Sequence, residues 1–218
     1  MPQRLAPFIL GAALVRAAIG ATTSIAAFPD PPVDESGHHA AKRESAVLAG
    51  GCFWGVEAVF DHVQGVVNAV SGYSGGNKKT AHTVLVEGGG TGHAESVKLT
   101  YDPAKITYGQ ILKIFFSVVH DPTELNHQGP DIGPQYRSVI FYGDDDQKNV
   151  AEAYIRQLDQ AKVFAGKTVT EVVPLHGFYA AEELHQHFSD RHPDNPYVVA
   201  NDLPKLAALK KKFPELYR

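Results

Sequence analysis

One stretch decides how the chain begins its fold: residues 46–63, AVLAGGCFWGVEAVFDHV. It opens with a short apolar run that stops at Gly50 and Gly51, which is typical of a buried strand. Apolar residues then recur at helical spacing, so residues 53–63 are predicted to form an amphipathic helix. The sequence therefore predicts a strand that passes directly into a helix, with Cys52 at the junction.

Outward from this junction, strands and helices alternate in the order β-α-β-β-α-β. The first strand and helix are followed by β-rich segments at 66–73 and 96–101, an amphipathic helix at 108–119 and a strand at 137–142. This order is the split βαβ pattern of ferredoxin-like folds, in which helices pack on one face of a largely antiparallel sheet. We therefore predict an α+β fold with a mixed, largely antiparallel sheet and extra C-terminal elements.

The C-terminal additions are a helix over 144–164, a β-branched strand over 168–175 and a short helix over 180–188. Two connections, 74–95 and 120–136, are long for loops inside a compact domain. Loops of this length are more often functional than idle, so we expect the functional site to draw on them.

The composition restricts the function classes. The chain has 218 residues, 44% of them hydrophobic, which predicts one globular domain, expected to be a monomer. A formal net charge of −4 argues against nucleic acid as a principal partner. The single cysteine, Cys52, excludes an internal disulfide, a Cys-x-x-Cys redox pair and a zinc site with several cysteines. No metal site is expected, because the histidines lack ligand spacing and His185 and His187 lie two apart on a predicted helix.

We expect residues 1–28 to be a targeting segment. They contain Arg4 and Arg16, no acidic residue, apolar stretches too short to span a membrane, and small residues that resemble a signal-peptide cleavage site. Export to a periplasm or secretion is favoured. The alternatives are an organellar transit peptide, a disordered tail, or a cytoplasmic protein without a leader. Residues 29–44 are predicted to be a linker and residues 45–218 a single domain.

Cys52 is the candidate nucleophile. A thiol at a helix N-terminus faces unpaired N–H groups and the positive end of the helix dipole, and both lower its pKa from about 8.5. The alternative is a buried, inert cysteine. The flanking glycines and the adjacent aromatic residues Phe53 and Trp54 favour the reactive thiol.

Two further clusters lie in the long connections. The run GGTGHAE at 89–95 is not a phosphate loop, because neither Lys-Ser/Thr nor a helix follows it. Glu95 enters an apolar strand; burial would raise its pKa and make it an acid near neutral pH, whereas the alternative is an exposed strand glutamate. The run GPDIGPQYR at 129–137 offers Asp131 and Tyr136 as polar groups.

In this order, the motifs GCFWG, GHAE and GPDIGPQYRS closely resemble those of the A-type peptide methionine sulfoxide reductases. GYSGG at 72–76, HDPT at 120–123 and FYAAEELHQ at 178–186 extend the resemblance over residues 45–218. The resemblance implies repair of oxidised methionine, free or in proteins and with S configuration at sulfur. The Cys52 thiolate attacks the sulfoxide sulfur and becomes a sulfenic acid.

The resemblance also implies roles for the neighbours of Cys52. Glu95 protonates the sulfoxide oxygen, Tyr136 donates a hydrogen bond to it, and Asp131 positions water or supports the polar side. The substrate-binding residues are Phe53, Trp54 and Tyr197, the last with core packing as an alternative. No cofactor is expected to be bound.

Two features depart from the family pattern. Thr83 stands where the family commonly has a tyrosine that also bonds the sulfoxide oxygen, so a weak enzyme, or a binder or oxidant sensor without turnover, is an alternative. The chain also lacks a second cysteine to resolve the sulfenic acid. Recycling then needs an outside thiol, thioredoxin or glutaredoxin with glutathione. A further alternative is an acyl-transfer hydrolase, which requires a hydrogen bond between Cys52 and His93.

Overall fold

A six-stranded sheet forms the centre of the structure, a computed structural model that describes residues 28–34 and 43–218. The strands are β1 (Glu44–Gly50), β2 (Val66–Ser74), β3 (Ala94–Tyr101), β4 (His127–Gln128), β5 (Asp131–Ile132), β6 (Ser138–Tyr142), β7 (Glu171–Pro174) and β8 (Phe178–Ala180). The α-helices are α1 (Phe53–Asp61), α2 (Thr83–Val86), α3 (Tyr108–Ile114), α4 (Asp145–Gln160), α5 (Phe188–Arg191) and α6 (Leu203–Lys212). Short 3₁₀ turns cover Lys78–Thr80, Pro134–Tyr136 and Glu183–His185, and π-helical turns cover Phe115–Val119 and Val198–Asp202.

The order of strands in the sheet is β7-β6-β1-β3-β2-β8. All neighbours are antiparallel except β6 and β7, which are parallel, and β4 pairs with β5 in a separate small ribbon. The four central strands therefore have the split βαβ arrangement, and the predicted α+β fold with a largely antiparallel sheet is confirmed. Strands β7 and β8 are the added elements at the two edges.

Alternation along β1 assigns its side chains to the two faces of the sheet. Ala46 and Leu48 join the main core beneath α1 and α3, whereas Val47 and Ala49 belong to a second, smaller cluster on the opposite face. Helix α1 is buried along most of its length. The first turn of α1 is thus anchored between the sheet and the C-terminal helices.

The predicted helix over 180–188 is wrong. Its beginning belongs to strand β8, which pairs with the edge of β2 through Gly72 and Ala180. A 3₁₀ turn follows, and His187 then adopts a left-handed backbone conformation with φ of 50° before α5 begins. Pairing with a strand that is distant in sequence overrides the local helical pattern.

Smaller differences concern the ends of elements. The helix predicted over 108–119 is α-helical only to Ile114 and continues as a π-helical turn. The helix predicted over 144–164 ends at Gln160, and Asp144 caps it by accepting a hydrogen bond from the Gln147 N–H.

Residues 28–34, which cover the end of the predicted leader and the start of the predicted linker, lie against the folded body. The Tyr154 hydroxyl donates to the Pro29 carbonyl at 2.7 Å, Lys113 pairs with Asp30 at 2.6 Å, and the Gly109 N–H donates to Asp34. Residues 1–27, which make up nearly all of the predicted targeting segment, lie outside the described residues. Within the described ranges, no helix has the length and apolar character needed to cross a membrane.

Candidate active site

Cys52 lies at the N-cap of α1, and its side chain is buried. Gly51 makes this placement possible, because its φ of +96° is a conformation that residues with side chains rarely adopt. A Cβ atom at Gly51 would also lie 2.7 Å from Cγ of Gln128. The turn therefore requires glycine immediately before the thiol.

The pKa of Cys52 is raised well above its ordinary value, first by burial and then by the negative charge of Glu95. A hydrogen bond from the backbone of Trp54 lowers the pKa, as a helix N-terminus should, but its effect is smaller. The prediction of a lowered thiol pKa is therefore wrong for the free protein. Loss of solvation opposes the thiolate more strongly than the helix terminus favours it.

Glu95 enters the site from β3 and is 7% exposed. Its Oε2 accepts a hydrogen bond from the Phe53 N–H at 3.1 Å, which places the carboxyl group beside the residue that follows Cys52. Burial is the main cause that raises the pKa of Glu95 to about 8, and the charges of Asp131 and Glu87 add to it. A carboxyl with this pKa holds its proton at neutral pH.

The second long connection brings further polar groups to the same place. The Tyr197 hydroxyl donates a hydrogen bond to Oδ2 of Asp131. Burial raises the pKa of Tyr197, and the neighbouring Cys52 raises it further. Burial likewise raises the pKa of Tyr136, with Glu95 and Cys52 as the next causes. Both phenols thus lie near the thiol, Tyr136 also lies near Glu95, and both phenols remain proton donors.

The aromatic residues after Cys52 have different surroundings. Phe53 is 2% exposed and packs against Tyr73 at a centroid distance of 5.7 Å. Trp54 is half-buried; it stacks on Phe188 at 3.7 Å and meets Tyr197 edge to face at 5.8 Å. Trp54 and Tyr197 therefore form an apolar wall next to the thiol, with Phe188 as a support that the sequence analysis missed.

A cluster of polar side chains behind this wall was also missed. The Thr83 hydroxyl lies 2.7 Å from Oε2 of Glu182, 2.8 Å from the Tyr73 hydroxyl and 2.9 Å from Nε2 of His185. The other ring nitrogen of His185 accepts a hydrogen bond from the indole of Trp54 at 3.2 Å. The only signal in the sequence was the motif FYAAEELHQ, which contains Glu182 and His185.

His93 does not partner the thiol. The Gly76 N–H donates to its Nδ1 at 3.2 Å, and its Nε2 lies 3.0 Å from the Asn77 carbonyl. Both ring nitrogens are therefore engaged by a neighbouring loop. A hydrolase with a Cys52–His93 pair is not favoured by this geometry.

Among the described residues, one group of three brings potential metal ligands within 4.8 Å of one another: Glu57, Asp61 and His187. Its members already bond within the protein. His187 Nδ1 lies 2.7 Å from Asp61, and Glu57 accepts hydrogen bonds from the Ser71 hydroxyl and the His187 N–H. The group ties α1 to β2 and to the turn before α5.

The site combines a buried thiol at the start of a helix with a protonated carboxyl and two phenols. This combination is typical of cysteine-dependent enzymes that protonate an oxygen atom of the substrate while the cysteine sulfur reacts. Comparison with known proteins narrows this class. The family described as peptide methionine sulfoxide reductase matches residues 44–217. The chain belongs to the peptide methionine sulfoxide reductase family and is a thiol-dependent oxidoreductase.

Individual relatives agree with this assignment. The chain is 57% identical to peptide methionine sulfoxide reductase MsrA 2 of Mesorhizobium japonicum, over 80% of this chain and 89% of the relative. It is 51% identical to MsrA 2 of a Synechocystis species, over 86% and 88%. Among solved structures, reduced Mxr1 of Saccharomyces cerevisiae is 34% identical with a TM-score of 0.63, over 71% of this chain and 88% of that one.

Proposed function

We propose that this protein reduces methionine-S-sulfoxide, free or in oxidised proteins and peptides, to methionine, with Cys52 as the nucleophile. The observation that carries the proposal is the placement of Glu95, a carboxyl protonated at neutral pH, beside the start of the helix that holds the thiol. A sulfoxide becomes a good electrophile only when its oxygen is protonated. A nucleophile and an acid held side by side suit that requirement.

In the proposed reaction the sulfoxide oxygen faces Glu95 and the phenol of Tyr136, and the S-methyl group rests against Trp54. Glu95 transfers its proton to the oxygen while the Cys52 sulfur bonds to the sulfoxide sulfur, and the proton released by the Cys52 thiol restores the acid form of Glu95. In sum, one oxygen atom moves from the substrate to Cys52, so a thiol and a sulfoxide become a sulfenic acid and a sulfide. Methionine then leaves.

Because Cys52 is buried, the bound substrate must also promote ionisation of the thiol. Because the pKa of the thiol is raised in the free protein, the thiolate forms only when a substrate is bound. The positive sulfur of the sulfoxide then stabilises the developing charge, and proton transfer to its oxygen removes the charge of the intermediate. Asp131, held by Tyr197, supports the polar side of the pocket.

Recycling of Cys52 requires a reductant outside the chain, because Cys52 is the single cysteine of the sequence. We propose thioredoxin, or glutaredoxin with glutathione, as this reductant. Two thiols are consumed in each turnover: the first forms a mixed disulfide with Cys52 and releases water, and the second frees the Cys52 thiol. The exposed positions of Ile132 and Val199, close in sequence to Asp131 and Tyr197, leave room for such a partner.

An oxidant sensor is the less favoured alternative. Redox-sensing cysteines are accessible and have a low pKa, because the thiolate must meet the oxidant directly. Cys52 has the opposite properties, since it is 9% exposed and its pKa is raised. Its environment therefore suits a reaction that begins with a bound substrate.

A single-turnover assay tests the proposed function. Reduced protein is mixed, without any recycling thiol, with each epimer of a blocked methionine sulfoxide. We expect about one methionine per protein from the S epimer, together with loss of the free thiol, because the sulfenic acid cannot be reduced within the chain. If folded, fully reduced protein yields no methionine from either epimer, the proposal is wrong.

We further propose that residues 1–28 act as a signal peptide that directs export, on the basis of their two arginines, lack of acidic residues and small residues near the end. Fractionation of cells that express the full chain tests this proposal. Export with removal of the segment is expected. Recovery of an intact chain from the cytoplasm would contradict it.

A further inference from the structure

A chain of hydrogen bonds runs from the indole of Trp54 into the interior. Trp54 Nε1 donates to Nδ1 of His185 at 3.2 Å, and Nε2 of His185 lies 2.9 Å from the Thr83 hydroxyl. The Thr83 hydroxyl donates to Oε2 of Glu182 at 2.7 Å, and the Thr83 N–H donates to the other Glu182 oxygen at 3.1 Å. We call these four residues, Trp54, His185, Thr83 and Glu182, the relay.

The chemistry of the donors fixes the direction of every bond in the relay. An indole N–H only donates, so Nδ1 of His185 must accept and the neutral ring must carry its proton on Nε2. That proton points to Thr83, whose own hydroxyl proton points to Glu182. Glu182 is a carboxylate, since its pKa is lowered by the hydrogen bonds from Thr83 and Tyr73, against the opposing effect of burial. The relay is therefore fully satisfied and has a single polarity.

We propose that Thr83 and His185 are positioning residues that hold the indole ring of Trp54 in place for substrate binding, a role that rests on the proposed function. The Thr83 hydroxyl is not a donor to the sulfoxide oxygen. Its single proton goes to Glu182, its oxygen accepts from His185, and the Tyr73 hydroxyl lies 2.8 Å away, so no proton is left for a substrate. The threonine therefore acts on the substrate only through Trp54.

Packing shows why the indole needs this fixation. The ring of Trp54 is half-buried, and its stacking partner Phe188 opens a helix of only four residues. Stacking on Phe188 restrains the tilt of the Trp54 indole, but it does not stop the indole from sliding parallel to the Phe188 ring. The bond to His185 supplies the missing restraint, and His185 is itself packed on Phe53 at 5.2 Å.

Protonation of His185 would break the relay at its first bond, because Nδ1 and the indole N–H would then both be donors. Burial lowers the pKa of His185, whereas the charges of Glu182 and Glu87 raise it. His82 lies 3.9 Å from Glu182, and His192 packs on Phe188. His82 and Glu87 flank α2, Glu182 precedes the 3₁₀ turn that contains His185, and His192 follows α5. A pH experiment must therefore distinguish His185 from His82 and His192.

The chain offers a direct probe of the relay, because Trp54 is its single tryptophan. Emission and anisotropy of the full-length protein therefore report on this indole alone. Thr83→Val, which removes the hydroxyl at nearly constant volume, is expected to lower the anisotropy and shift the emission maximum. Thr83→Ser, which keeps the hydroxyl, is expected to retain the wild-type emission.

Kinetics provide the second readout. Thr83→Val is expected to raise KM for the S epimer about 3- to 10-fold, the effect of one lost hydrogen bond, with kcat nearly unchanged. The matched control is Val84→Ala at the neighbouring residue, whose side chain is 82% exposed and which should leave KM and emission unchanged. Wild-type KM and anisotropy in a folded Thr83→Val protein would overturn the proposal.

A pH titration decides the matter if Thr83→Val does not fold. Wild-type emission should show a transition in acid that is absent from His185→Phe, which keeps the ring but has no nitrogen. The same transition in both proteins would show that a group other than His185 causes it and would overturn the proposal. If the wild-type protein reduced no sulfoxide, the proposed function would fail, whereas the emission experiments would still decide whether the relay holds the indole.

Discussion

At the residue scale, the proton on Glu95 is expected to govern the chemical step. We predict that Glu95→Gln slows single-turnover reduction of the S epimer by about 100-fold or more, because an amide cannot transfer a proton to the oxygen. The Cys52 thiol should still react with an alkylating reagent. The control is Glu87→Gln, an exposed carboxylate whose loss should change the rate less than about twofold. Full activity of Glu95→Gln would remove the acid from the mechanism.

The same residue predicts a dependence on pH. Its folded-state pKa of about 8 lies above the ordinary value, so the acid form predominates at neutral pH and is lost as the pH rises through about 8. We expect the single-turnover rate to fall above about pH 8, while alkylation of Cys52 becomes faster as its thiol ionises. Rates measured from pH 6 to 10 test this divergence. A reduction rate that follows alkylation upward would contradict it.

The motifs around Cys52 and Glu95 predict a candidate nucleophile and a candidate acid, but they did not predict the ionisation state of Cys52. A helix start is visible in the sequence, whereas the loss of solvation depends on elements that pack over the thiol from distant parts of the chain. The bond between Thr83 and His185 joins residues 102 positions apart. No local pattern contains it, so the threonine looked only like a missing donor.

At the scale of elements, the turn from β1 into α1 determines where the thiol lies. We predict that Gly51→Ala destabilises the protein by about 1–3 kcal/mol, because φ is +96° and the added Cβ would lie 2.7 Å from Gln128. Urea unfolding measures the loss. Gly90→Ala is the matched control, since no atom lies within 4 Å of its added Cβ, and it should cost less than about 0.5 kcal/mol. Equal stability of the two variants would argue against strain at Gly51.

Sequence periodicity was a good guide to the elements inside the sheet and a poor one at its edge. The core strands and helices carry alternating or helical apolar patterns because one face of each is buried. Strand β8 has only three residues and owes its conformation to pairing with β2. Because this pairing depends on β2, the local sequence alone does not reveal the strand. The residues over 180–188 therefore matched a helical pattern better than a strand pattern.

At the scale of the whole molecule, several buried acids make stability depend on pH. Burial raises the pKa of Glu57 to about 7 and that of Glu95 to about 8, and it raises the pKa of Asp61, Asp131 and Asp202 as well. The folded state therefore holds protons that the unfolded chain has already released. Each acid therefore contributes its full stabilisation below its ordinary pKa, and this contribution declines as the pH rises from that value to the raised one.

We predict that the free energy of unfolding falls by about 2 kcal/mol between about pH 6.5 and 8, the contribution expected of Glu95 alone. The buried histidines His120 and His185 have lowered pKa values in the fold, so the protons that they still release from the unfolded chain between about pH 6.5 and 7.5 offset a part of this fall. Urea unfolding at several pH values measures the slope. Glu95→Gln should flatten it, and a slope that is flat or positive in the wild-type protein would show that these acids are not protonated in the fold.

The buried, un-ionised thiol of Cys52 also bears on how long such an enzyme survives. The peroxides that oxidise methionine react with exposed thiolates, and repeated reaction drives a cysteine to sulfinic and sulfonic acids that thiols do not restore. Because the Cys52 thiol ionises only when a sulfoxide is bound, peroxide meets very little thiolate between turnovers. Resting molecules should therefore outlast the oxidative burst that produces their substrate and remain intact for the damage that follows it.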